Sequence, residues 1–171
     1  MMWKYRGQER PPFAEEPGPG QESVWDYPRP PAVEPSGRLV VVRYGEEALA
    51  RSRNSYRVME TASPPVYYLP PEDVNWEYLE KAPGRSVCEW KGVAQYWKLS
   101  ADPRGVPVGW SYEEPRSDYR VIQGYVAFYP GRVESYVEGE NVRPQPGNFY
   151  GGWVTDEIIG PFKGESGTGH W

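Results

Sequence analysis

Leu39-Val40-Val41-Val42-Arg43-Tyr44-Gly45-Glu46-Glu47-Ala48-Leu49-Ala50 is the stretch whose reading decides the fold class. β-Branched side chains fit a pleated, half-buried surface, so residues 39–44 read as a strand. Gly45-Glu46-Glu47 can turn the chain, and Ala48-Leu49-Ala50 can return as a short partner. The same pattern continues downstream. Ser55-Tyr56-Arg57-Val58-Met59-Glu60-Thr61 reads as a strand, Pro64-Pro65 breaks it, and Val66-Tyr67-Tyr68-Leu69 follows. Lys91–Leu99 and Val108–Tyr112 read as further strands. Val121–Tyr129 is the most apolar segment and is expected to be a central strand stopped by Pro130-Gly131. Arg132–Glu138 alternates Val133, Ser135 and Val137 against Glu134, Tyr136 and Glu138. One short helix is expected from Pro71, where proline and the acids Glu72 and Asp73 suit a first turn and Val74, Tyr78 and Leu79 give a small buried face.

Composition agrees with an all-β reading. The 171 residues include 20 Pro and 19 Gly, which disfavour long helices, and 8 Trp and 14 Tyr, so rings carry much of the apolar mass. That length suits one domain with residues left for arms, and a core that needs no disulfide or metal. The net charge of −5 argues against non-specific binding to nucleic acid or to an anionic membrane. A single cysteine cannot form an internal disulfide, and no apolar run approaches membrane-spanning length or makes a signal-peptide core. A soluble, cytoplasmic protein is the expectation.

Residues 1–37 form a Pro-rich N-terminal arm, in which Val24-Trp25-Asp26-Tyr27-Pro28 carries two rings able to dock. Residues 38–143 form the strand-rich body. Residues 144–171 are Gly-rich but too aromatic for a plain tail, and are expected to wrap on the body or on a second subunit. The arms are therefore also candidates for joining copies into a homo-oligomer.

Four motifs in order, Arg57-Val58-Met59-Glu60-Thr61, Pro65-Val66-Tyr67-Tyr68-Leu69-Pro70, Cys88-Glu89-Trp90-Lys91-Gly92 and Gly124-Tyr125-Val126-Ala127-Phe128-Tyr129, carry a resemblance over residues 38–143. The chain resembles the bacterial domain of unknown function, family 427, and its arms resemble those of a longer subgroup. The resemblance implies a small all-β domain of the β-tent type, with two sheets meeting like the sides of a tent. Related tent domains often hold a structural zinc, and some bind small molecules in an aromatic cage. The family has also carried a loose nucleotidyltransferase label. The chain departs from the family pattern at Glu89, where proline is frequent, and at Gly109-Trp110-Ser111-Tyr112-Glu113, where Ala-Trp-x-Tyr-Pro is more usual.

The chemistry-bearing residues point to binding more than to reaction. With one cysteine and one histidine, the chain cannot supply the usual four zinc ligands, and no metal or cofactor is expected. Cys88 lies three residues from Lys91, but the body has no histidine to act as its base. No phosphate-cradling glycine loop is present, nor a paired-acid site for nucleotidyl transfer. Tyr68, Trp90, Tyr96 and Trp110 can wall a pocket for an unknown small molecule, with Arg57, Glu60 and Lys91 setting its polarity. Lys91 is costly to bury without an acid partner, and Glu60 is the expected one. An enzyme using Glu60 as acid or base, with Lys91 or Arg57 stabilising charge, is the alternative. An interaction protein that assembles through its arms is the other.

Overall fold

A computed structural model describes residues 3–147 and 149–171. Its strands, numbered in chain order, are β1 (Glu22–Ser23), β2 (Ala32–Ser36), β3 (Val40–Tyr44), β4 (Glu47–Ser52), β5 (Ser55–Met59), β6 (Val66–Tyr68), β7 (Leu79–Cys88) and β8 (Gly92–Leu99). They continue with β9 (Pro107–Ser111), β10 (Val126–Phe128), β11 (Glu134–Val137), β12 (Glu140–Asn141), β13 (Arg143–Pro144), β14 (Trp153–Val154) and β15 (Ile158–Ile159). The chain is all-β. Among the described residues, the helical elements are short 3-10 segments and no helix is long and apolar enough to cross a membrane.

The valine stretch pairs with its return strand as β3 and β4, and β11 and β12 extend them into an antiparallel sheet of order β12-β11-β3-β4. A second body of strands forms as two ladders, β2-β5-β6 and β10-β9-β8-β7. Reciprocal backbone bonds between Leu69 and Val126, at 2.8 and 2.9 Å, join β6 to β10. Seven strands thus run side by side from β2 to β7. Pro35 sits in β2 at one edge of this long sheet, where a missing backbone N–H costs nothing.

Alternation along the strands gives the long sheet two different faces. Tyr67, Leu69, Trp97, Val126 and Phe128 point inward and pack with Val40, Val42 and Leu49 of the smaller sheet. Burying each large apolar side chain there contributes about 1.5–3 kcal/mol. Tyr68, Ala94, Trp110, Tyr112 and Ala127 belong to a second cluster on the opposite, outer face.

Two expected elements take other forms. The helix from Pro71 is instead a pair of three-residue 3-10 turns, Pro71–Asp73 and Trp76–Tyr78. It stops because Val74 bridges Ala50 and the Asn75 N–H donates to Leu49 O at 2.8 Å, drawing the backbone onto β4. Val74 and Leu79 are nonetheless buried, as that short face required. The segment expected as one central strand begins in a 3-10 segment, Ser117–Ile122, turns at Gly124 (φ 74) and pairs only over Val126–Phe128.

Both chain ends pack on this body. β1 pairs in parallel with β15, tying the two arms together. Trp25 is fully buried, its ring meeting Tyr5, Phe13 and Trp171 at centroid distances of 5.2, 5.2 and 5.3 Å, and its Nε1 donates to Pro161 O at 3.2 Å. Trp153 reaches the inner core and donates through Nε1 to Phe128 O at 3.0 Å.

Candidate functional site

β7 and β8 form a hairpin whose tight connection is Glu89-Trp90-Lys91, closed by Gly92 at φ 114, a conformation that strains any residue with a Cβ. The connection is held from behind by the Arg116 N–H, which donates to Lys91 O at 3.0 Å. This places Trp90 and Lys91 at the margin of the long sheet's outer face, beside a cavity of about 620 Å³. Tyr68, Ala94, Tyr96 and Trp110 form its floor, and Cys88, Trp90 and Lys91 one wall. The arms complete it with Trp3 from one end and Tyr150, Gly151 and Lys163 from the other. Residue 151 must be glycine for this closure, because a Cβ there would stand 2.4 Å from the Trp110 ring.

Another depression, of about 690 Å³, lies beside Arg43, Arg132 and Arg143. Its arginines already donate to Glu46 O, Pro107 O and the Glu140 and Asp156 carboxylates, and no buried ionisable group faces it. The aromatic cavity is therefore the better candidate for chemistry.

Of the seven residues singled out in the sequence, Glu60, Tyr68, Trp90, Lys91, Tyr96 and Trp110 line this one cavity. Arg57 does not. Val58 and Glu60 share the outer face, and strand alternation sends Arg57 the other way. There it pairs with Glu22 and Glu34, each at 3.0 Å, and fastens the N-terminal arm to β5. The expected Lys91–Glu60 pair also requires correction. Glu60 accepts from Arg29 Nε at 3.2 Å. Arg29, its side chain wholly buried, donates further to Tyr5 O, Thr61 O and Trp171 O, and stacks on the Trp3 ring at 4.1 Å.

Lys91 is thus left without its acid. It is only 9% exposed, among the described residues it makes no salt bridge, and the polar group beside its ammonium is the Cys88 thiol. Nζ lies 5.8 Å from the centroid of the Tyr112 ring, whose face attracts a cation. Burial is the largest influence on Lys91 and opposes its charge; Tyr68, Cys88 and Glu60 act the other way and bring it above the ordinary lysine value. Lys163, also buried, is shifted down, first by burial and then by repulsion from Arg29. It donates to Trp171 O at 3.3 Å and sits 4.5 Å from the Trp3 ring.

Tyr68, Tyr112 and Tyr129, around the cavity, stay protonated well into the alkaline range. Burial raises Tyr68 and Tyr112, and pushes Tyr129 up to about 12. Tyr68 Oη accepts from Trp110 Nε1 at 3.1 Å, and Tyr96 Oη pairs with Ser86 Oγ at 2.7 Å, so the walls are fixed by their own polar tips. Cys88 is a free, half-buried thiol in the wall. Among the described residues, no three His, Cys, Asp or Glu side chains gather as metal ligands.

Sequence reasoning missed Trp3, Arg29, Tyr112, Tyr150 and Lys163. Four of these come from the arms, far in sequence from the floor they cover. Arg29 carried one local signal, a lone cation fixed between prolines in Tyr27-Pro28-Arg29-Pro30-Pro31.

A model of a family described as a domain of unknown function (DUF427) matches residues 32–139, from the start of β2 to just past β11. No curated protein matches the chain.

Proposed function

The chain belongs to the DUF427 family of domains of unknown function, and from that premise we propose that it is a small-molecule-binding module whose ligand occupies the cavity between the long sheet and the two arms. The observation that carries the reading is the lining itself: rings from the sheet and from both arms border one half-open cavity, with a buried lysine in its wall that has no ion-pair partner among the described residues. Its volume falls within the range usual for small-molecule sites. Trp90, Trp110, Tyr68 and Tyr96 would supply the contact area, and Lys91 the polar anchor. Glu60 would act at the margin, since Arg29 already holds one of its oxygens.

That hold on Glu60 speaks against its use as a general acid or base. The arms, packed on their own body, leave little reason to assign them to a partner. The single free thiol suits a reducing setting, and the cytoplasm is the compartment proposed.

The test is a thermal-shift screen of small molecules, repeated on Lys91→Ala and Trp90→Ala. A true ligand at a hundred times its Kd stabilises the folded state by about 2.7 kcal/mol. That shift should shrink sharply in both variants. A compound whose stabilisation survives both changes would place its site elsewhere.

A further inference from the structure

Resting on the pocket reading above, we propose that the ligand is a planar aromatic monoanion, an aromatic carboxylate, held with its carboxylate on Lys91 and its ring among the aromatic walls. Three observations define that class. The first is the charge balance. Arg29 is matched by Glu60 and by three backbone oxygens, and Lys163 by Trp171 O. Arg132, at the cavity's border, is exposed and donates to Pro107 O. Among the described residues, Lys91 is the buried cation of the lining with no oxygen in contact, only the Cys88 thiol beside it, and a buried charge is tolerated best when something neutralises it. A single negative group set against Lys91 would do so.

The second observation is the donor set. Doubly charged phosphate groups are characteristically gripped by several donors, arginine forks or a run of backbone N–H groups. Here the charged donor is one ammonium, Lys91; Tyr68 accepts from Trp110 and keeps its own proton to donate, Tyr96 and Ser86 bond each other, and among the described residues no arginine fork or run of backbone N–H groups faces the ligand space. A carboxylate matches this supply and a phosphate does not. The third is the shape of the walls. Trp90, Trp110, Tyr96 and Tyr129 offer ring faces and edges to a flat apolar body, and Gly151 lets the tail lie close over Trp110 as a lid.

The experiment uses the full chain with 2-naphthoate and its uncharged isostere 2-naphthamide, titrated by calorimetry and by tryptophan fluorescence. Naphthoate should bind at least tenfold more tightly than naphthamide. In Lys91→Met and Lys91→Gln that ratio should fall to near one while naphthamide binding persists. The unliganded Lys91→Met protein should melt at the same temperature as the parent or higher, because it loses an unpaired buried charge. Equal binding of the two compounds by the parent protein would overturn the anion assignment and leave the pocket reading standing, provided that Trp90→Ala weakens both. A tenfold preference that survives in both Lys91 variants would overturn the role of Lys91. A melting temperature lowered by more than about 10 °C in both variants would show Lys91 to be structural, and would overturn the proposal as well. Binding of neither compound at millimolar concentration would sink the inference and the pocket reading together.

Discussion

The inner and outer faces of the seven-stranded sheet are made by alternate residues of the same strands, yet they are closed in different ways. Inward, Leu69, Trp97, Val126 and Phe128 meet a second sheet whose valines and leucine fill the space. Outward, Tyr68, Ala94, Trp110 and Tyr112 meet Tyr119 and Ile122 of the 3-10 segment and the two chain ends, and a cavity remains. A sheet covering a sheet is a repeating surface that can interdigitate everywhere. Arms cover a sheet at a few fastening points and bridge the gaps between them. The polar groups follow this difference. The inner face carries few, while the outer one holds Lys91, Glu60 and Lys163 together with the arginine that fastens the lid.

The largest expected effect tests the dry face. Phe128→Ala removes a fully buried ring and should cost about 3–5 kcal/mol in urea unfolding. A loss under about 1 kcal/mol would mean that the inner face is not the closed core described. Next comes the fastening. Arg29→Met leaves Glu60 and three backbone oxygens unmatched. Because Glu60 is partly exposed, the cost should be about 2–3 kcal/mol, below that of breaking a fully buried pair. The same variant should be cleaved faster by protease within residues 3–31. Unchanged protection of that segment would show that Arg29 does not hold the arm.

A smaller effect concerns pH. Burial works to raise the Glu22 carboxyl, but hydrogen bonds from Arg57 and Tyr27 outweigh it and hold the group below its ordinary value of 4.5. A carboxyl lowered by folding stabilises the native state above the unfolded value, and that contribution disappears as pH falls through the folded value. The N-terminal arm should therefore loosen below about pH 4.5, by about 1 kcal/mol or less given the exposure of Glu22. Hydrogen exchange at the Trp25 amide reports this, and Glu22→Gln should flatten the acid dependence. A dependence that persists in Glu22→Gln would assign it to other groups. The smallest effect lies in the smaller sheet. Ser135 Oγ is buried and has no partner among the described residues, so Ser135→Ala should be neutral or stabilising by up to about 1 kcal/mol. A clear destabilisation would reveal a partner for that hydroxyl.

Local pattern made much of the inner face legible. The valine run and the alternation ending at Val133, Ser135 and Val137 each carry their own period, and period survives in a single sequence. The ten-residue β7 strand escaped notice because Pro83-Gly84 interrupts it and the pairing register shifts between Lys81 and Arg85. Apolar content alone made Val121–Ile122 look like strand, although Val121 is half exposed at the end of a 3-10 segment. The site was legible where rings sat on strands, as with Tyr68, Tyr96 and Trp110. It was illegible where partnership depends on which distant segment arrives. Glu60 met Arg29 rather than Lys91, and no spacing within the body encodes that choice.

The closure of the cavity by residues 3 and 150–163 sets an order in time. A chain emerging during synthesis can pair β2 to β12 before the second arm exists, leaving Trp110 and Tyr68 uncovered. A flat apolar molecule present at that moment would meet an open bench of rings, and the last segments would then fold over it. After Gly151 has settled on Trp110, the same molecule reaches the rings through the side that the arms leave open. The route to the rings is therefore widest before the second arm folds.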